Sequence, residues 1–260
     1  MCIRDSHFIR RQRELEVTGQ SAGELDVEAM MAEELQAIEA ADITLVCSAA
    51  EQQLLTMALD DVDVRVLSNI HTEVAGPANL ENRNDILFVG SFEHPPNADG
   101  LIWFIDHVLP HVQAEKPDIA LHVVGSDPPT EVLDRASANV KVHGHVDDLV
   151  SHYGRVRLAV APLRFGAGVK GKVTQALAVG VPLIGTQMAV EGAGIEPNQH
   201  ALVADDAEGF ATAVLQVLSD DDLWQRLRKN GLSLTKALYS PWAARPTIEA
   251  VCTTATGARP

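Results

Sequence analysis

The sequence predicts an α/β protein: a doubly wound parallel sheet with helices on both faces, joined to part of a second sheet of the same kind. Three observations carry this. Between Asp85 and Asp206, short apolar runs alternate with helical runs about six times, the pattern of a parallel sheet. Several of the short runs, such as ILFV and LAVA, are apolar throughout rather than alternating, as strands buried on both faces are. Finally, Arg164 to Pro182 (RFGAGVKGKVTQALAVGVP) reads as the end of a strand, a glycine-rich turn and a helix.

Taken in order, Met1 to Ser6 lead straight into a charged helical segment, HFIRRQRE, with no opening strand. MCIRDS is similar to a translated sequencing adapter, so residues 1–6 are expected to be non-native and the chain a fragment. Residues 24–41 carry apolar positions at helical spacing, 43–48 (ITLVCS) read as a buried strand, 49–59 as a helix and 63–69 as a strand. Residues 71–85 are polar, contain Gly76 and Pro77, and read as a linker. From Ile86, strands are expected at ILFVGS, ALHVVGS, VKVHGHV, LAVAPL, PLIGT and ALVADD. The helices between them are NADGLIWFIDHVLPHVQAE, PTEVLDRASA, DDLVSHYGR and KVTQALAV. Two amphipathic helices follow, AEGFATAVLQVLSD and DLWQRLRKNGLSLTKAL, and the tail holds a last helix. The expected organisation is a partial domain over 1–80, a Rossmann-like domain over 81–235 and a helical tail over 236–260. Right-handed crossovers place ligands beyond the carboxyl ends of the strands, at Gly90–Asn97, Gly125–Pro128, Gly144–Asp147 and Leu163–Lys172.

Bulk properties exclude several classes. The chain has 260 residues, 46% of them apolar and 22% charged, as in ordinary globular proteins. A formal net charge of −16 argues against nucleic acid or an anionic membrane as a partner. Cys2, Cys47 and Cys252 lack metal-type spacing and point to a reducing, cytoplasmic setting. No apolar run approaches the ~20 residues of a transmembrane helix, and no secretory signal opens the chain.

The glycine-rich turn carries the chemistry. Gly166, Gly168 and Gly171 leave backbone N–H groups bare, and Arg164, Lys170 and Lys172 add positive charge at a helix start, which suits a phosphate. Gly166 to Lys172 fits G-x-x-x-x-G-K, but Val173 replaces the hydroxyl residue that would bind magnesium, which argues against a nucleotide-hydrolysing P-loop. His107 and His111 are half of a zinc pattern without a third ligand and read as polar helix-face residues. His143 and His145 alternate on one strand and share a face; His145, at its carboxyl end, is the ligand candidate. Asp147 and Asp148 read as helix caps. Glu191, just past a strand end, is either a turn residue or an acceptor for sugar hydroxyls. Trp103 and Phe104 read as core. No nucleophile triad, H-E-x-x-H or G-x-G-x-x-G is present.

The segments ILFVGSFEHPPNADGLIWF, LHVVGS, VKVHGHVDDL, VAPLRFGAGVKGKVTQALAVGVPLIGT and VEGAG, in that order, resemble the C-terminal half of family 4 glycosyltransferases of the GT-B fold. The subgroup marked by PLR-[FY]-GAGVKGK is the one most resembled. HFIRRQRE and ADITLVCSAAEQQLL resemble the end of that family's N-terminal, acceptor-side domain. The resemblance implies transfer of a hexose-like sugar from a nucleotide donor to an unknown acceptor (glycan, lipid or small molecule), with retention of configuration, no metal and no other cofactor. It implies that Gly90, Ser91, His94 and Asn97 line the cleft, and that Gly144, His145 and Val146 approach the base. Arg164 and Lys170 would hold the diphosphate together with the backbone of Gly166, Gly168, Gly171, Lys172 and Val173. Gln175 would face the ribose and Glu191 the sugar. His7 matches a histidine that faces sugar and phosphate. Two family glutamates fall on Ala167 and Gln175, which puts the sugar contact in doubt. As a fragment the chain is expected to bind nucleotide without turnover. A nucleotide-sugar epimerase of the same fold and a non-catalytic nucleotide-binding module remain alternatives.

Overall fold

The computed structural model describes residues 2–3, 7–19, 24–72, 76, 79–81 and 83–256. A first parallel sheet, in the order β1-β2-β3, contains β1 (Cys2–Ile3), β2 (Thr44–Val46) and β3 (Val64–Val66). Beside it run α1 (His7–Thr18), α2 (Glu24–Glu39) and α3 (Ala49–Ala58). Ser48 ends the β2 turn and caps α3 by accepting from the Glu51 N–H. The sequence offers no opening strand, yet Cys2 and Ile3 pair with Thr44 and Leu45. Two residues are too few for a periodic signal; only the partner strand defines this one.

The second sheet has β4 (Asp85–Val89), β5 (Leu121–Val124), β6 (Val140–Gly144), β7 (Val156–Ala161), β8 (Leu183–Gly185) and β9 (Leu202–Val203), all parallel, in the order β6-β5-β4-β7-β8-β9. The chain lays down β4, β5 and β6 in one direction, then returns to the centre and lays down β7, β8 and β9 in the other. Between β4 and β7 the winding reverses, and a crevice opens above their carboxyl ends. Side chains alternate across β4: Ile86 and Phe88 enter one core layer with Leu121, Phe104 and Phe210, while Leu87 enters the other with Val173, Leu177 and Leu183. Each such side chain, fully buried, stabilises the fold by about 1.5–3 kcal/mol.

The helices over the sheet are α4 (Pro95–Trp103), α5 (Leu109–Glu115), α6 (Thr130–Leu133), α7 (Leu149–Arg155), α8 (Gly171–Ala178), α9 (Gln187–Val190), α10 (Ala207–Ser219), α11 (Asp221–Leu238) and α12 (Pro241–Thr256). The single helix expected over 97–115 is interrupted by a π-helical turn at Phe104–Val108. Pro110 has no N–H and its ring crowds the carbonyl four residues back, so the wider turn accommodates it. The helix expected over PTEVLDRASA is one turn long: the Ser137 and Val140 backbones bond each other and reverse the chain into β6. Asp148, not Asp147, caps α7. Trp224 of α11 is fully buried, donates from Nε1 to the Arg157 carbonyl at 2.6 Å, and lies under Arg83, Arg157 and Arg228 at 5.6, 5.9 and 6.0 Å. Among the described residues no helix is long and apolar enough to cross a membrane.

Candidate functional site

The crevice between β4 and β7 is shaped by missing side chains. A Cβ on Gly90 would meet Lys172 Nζ at 2.7 Å and Asn97 Cγ at 2.8 Å; one on Gly125 would meet the Gly90 carbonyl oxygen at 1.9 Å. The space over Gly90 belongs to Lys172, which rises from α8, bonds Asn97 Oδ1 and stands 4.6 Å from the Phe88 ring centre. Burial pulls its ammonium down to a pKa of about 7. Asn97 is itself buried and donates to the Ser91 carbonyl at 2.6 Å, closing the turn after β4. Ser91 Oγ accepts from Ser126 Oγ at 3.2 Å. His94 sits exposed at the start of α4.

After β7, Gly166 and Gly168 carry the turn, Gly168 at φ +66° where only glycine is at ease. Lys170 stands at the N-cap of α8, nearly buried, with Nζ 3.8 Å from Glu191 Oε2. Gly171 opens the helix at the surface and Gln175 lies half-buried one turn on. The Val173 side chain is in the core and its N–H donates to the Lys170 carbonyl at 2.9 Å. Arg164 forks onto Asp99 of α4, with Nε donating at 2.8 Å and Nη2 to the other oxygen. Lys170 and Lys172, neighbours in sequence, thus diverge: one faces the glycine turn, the other fills the crevice.

The first sheet supplies a wall that sequence reasoning missed. Arg13 of α1 grips Glu191 with both arms, Nη1 to Oε2 at 2.6 Å and Nη2 to Oε1 at 2.9 Å, and Nη1 also donates to the Gly166 carbonyl at 2.8 Å. These bonds hold the Glu191 carboxyl below its ordinary pKa. Gly192, at φ +74°, would bring a Cβ within 3.1 Å of Ser48 Cβ, so the two sheets meet closely here. A cavity of about 80 Å³ remains, lined by Ile9, Arg13, Ser48, Ala167, Gly168 and Glu191 among others. α1 begins at His7, whose side chain lies outside the described residues, as do Met1 and residues 4–6.

At the end of β6, Gly144 turns the chain with φ +69°, so the alternation stops there and does not carry His145 onto the face of His143. His145 is exposed, 3.7 Å from Asp147, and Val146 packs against the core. His143 points instead into a cluster with His122, which bonds it at 2.9 Å and Asp85 at 2.8 Å, and with His152, ring to ring at 4.9 Å. His107 and His111 are exposed. Among the described residues no group of three such side chains, this cluster included, is arranged to hold a metal ion. A cavity of about 730 Å³ between Arg83, Asp85, Lys116 and Arg157 lies at the amino ends of the strands, opposite the end where such sheets bind ligands.

The fold is shared with proteins of known structure. The chain is 26% identical over 170 residues to an uncharacterized 44.6 kDa protein in the cps region of Klebsiella pneumoniae, covering 62% of this chain and 44% of that one. An S. aureus TarM variant, solved with fondaparinux, alpha-GlcNAc-glycerol and UDP, superposes with a TM-score of 0.71 at 14% identity, over 84% of this chain and 45% of its own. Sucrose-phosphate synthase from Thermosynechococcus elongatus superposes with 0.71 at 22% identity, over 89% and 63%. The chain therefore spans less than half the length of the Klebsiella and TarM proteins. The family model described as glycosyl transferases group 1 matches residues 83–220, which hold β4 to β9 and the whole crevice, and the chain belongs to that family.

Proposed function

We propose that the chain binds a nucleotide-sugar donor above β4 and β7 and serves the transfer of its sugar to an acceptor hydroxyl, with retention and without a metal. The observation that carries the reading is the placement of Lys170 at the N-cap of α8, on the glycine turn that follows the switch-point strand. UDP in the TarM complex supports the same donor class. Cleaving the bond between sugar and diphosphate leaves negative charge on the departing phosphate. Lys170, the start of α8 and Arg164, once released from Asp99, stabilise that charge without reorganising solvent. The departing phosphate oxygen takes the proton of the acceptor hydroxyl. Lys172 holds Asn97 and thereby the floor of the site, while Gln175 meets the ribose, and Gly144 to Val146 flank the base.

Calorimetry with UDP, GDP and ADP tests the site. Lys170→Ala is expected to weaken the best of these by about tenfold or more, the effect of losing roughly 1.4 kcal/mol. Equal affinity in both proteins would overturn the assignment. Ala167, which has no carboxylate to offer the sugar, favours a second reading, a nucleotide-binding module without transfer. It predicts UDP binding with no UDP released from UDP-glucose even by the full-length protein.

A further inference from the structure

The chain that leaves the first sheet is fastened to the helix behind the glycine turn. Asn69 and His71 follow β3, and both reach Thr174 of α8: His71 Nε2 stands 2.8 Å and Asn69 Nδ2 3.4 Å from its hydroxyl oxygen. Thr174 is fully buried and gives its one hydroxyl proton to the Gly171 carbonyl at 3.1 Å, so the Nε2–H of His71 is the donor in the other bond. Burial lowers the pKa of the imidazole and keeps it neutral. His71 is itself held in place. Its backbone N–H donates to the Tyr239 carbonyl at 2.7 Å, and its ring meets the buried Tyr239 ring edge-on at 6.5 Å. α8 needs such an anchor: it has eight residues and opens on glycine, which loses the most freedom on becoming helical, so its first turn frays unless something outside the helix fixes it. We infer that His71 is a positioning residue for the diphosphate site, which acts through Thr174 to hold the first turn of α8 against the phosphates. This rests on the donor reading above. Without the bond, a phosphate has to order that turn as it binds and loses affinity accordingly.

The test uses the 260-residue chain and UDP. Glutamine places an amide nitrogen where histidine has Nε2, whereas asparagine is too short to reach Thr174. His71→Asn is expected to weaken UDP about three- to tenfold, the worth of one hydrogen bond of ordinary strength, and His71→Gln to stay within about twofold of wild type. Thr174→Val, which removes the hydroxyl, weakens UDP as His71→Asn does. Adding His71→Asn to it costs no more than about twofold further, because the bond is already gone. A merely structural role predicts a lower melting temperature for His71→Asn with UDP affinity unchanged, and that result overturns the inference. So does His71→Gln binding as weakly as His71→Asn, or losses from His71→Asn and Thr174→Val that add in full. If His71→Asn does not fold, Thr174→Ser, which keeps the hydroxyl, is compared with Thr174→Val. Serine near wild type and valine weak support the inference; equal affinities overturn it. Failure of the donor reading is separate: wild type then binds no nucleoside diphosphate, or Lys170→Ala binds as wild type does.

Discussion

Lys172 shows how far a residue's neighbours in space can depart from its neighbours in sequence. Its charge is turned inward, against Asn97 and the face of Phe88, and its pKa falls to about 7 from an unfolded value near 10.5. Between these values the unfolded chain binds more protons than the folded one, so stability rises with pH from about 7 to about 10.5. Below about 7 the lysine is protonated in both states and its full cost is present. Urea unfolding of wild type at pH 7, 8 and 9 is expected to show this rise, and Lys172→Met to lack the lysine's share of it. The glycine-lysine turn itself was legible from local chemistry, because glycines and cations at a helix start say the same thing in any context. Arg13 was not: its bond to Glu191 spans 178 positions, and nothing in HFIRRQRE marks which arginine turns toward a distant loop. Arg164 was legible as a cation of the turn, but its pairing with Asp99 depends on how α4 packs.

At the scale of the element, α4 lies against the end of β7 through a glycine. A Cβ on Gly100 would stand 2.4 Å from the Pro162 carbonyl oxygen, and backbone flanks the contact on both sides. Gly100→Ala is therefore expected to cost about 1–3 kcal/mol, read as a lower urea midpoint. The edge of the sheet carries a second liability. Burial, followed by neighbouring cations, depresses the pKa of His143 and of His152 below 6.5. The unfolded chain then takes up more protons as the pH falls, so stability is lost from about pH 6.5 downward through the folded values. His143→Gln and His152→Gln should flatten the decline of the melting temperature between pH 7 and pH 5; unchanged slopes would exclude the cluster as its source. The strands of this sheet were legible because buried parallel strands are uniformly apolar. The π-helical turn and the single-turn α6 were not, since each answers to packing or chain reversal rather than to periodicity.

The whole molecule is wound so that its last helix returns to its first sheet. α12 brings Pro246, Ala250 and Thr254 alongside Gln52, Arg65 and Val66, and Arg65 donates to Thr254 Oγ1 at 3.3 Å. Ending the chain at Ser240 should release β2 and β3 while leaving β4 and β7 in their buried layers. Amide exchange is the measurement: β2 and β3 are expected to exchange at least about tenfold faster, with β4 and β7 unaltered. Sequence order gave the winding of the second sheet directly. The meeting of the two sheets at Gly192 and Ser48 belongs to the assembled shape alone. That meeting has a kinetic consequence. The space left between α1 and the glycine turn is about 80 Å³, against roughly 300–1,000 Å³ for a small-molecule pocket. On the donor reading proposed above, a sugar end that is to lie there enters only after the walls part, and its capture is then a two-step event whose observed rate levels off at high nucleotide-sugar concentration at the frequency with which Arg13 lets go.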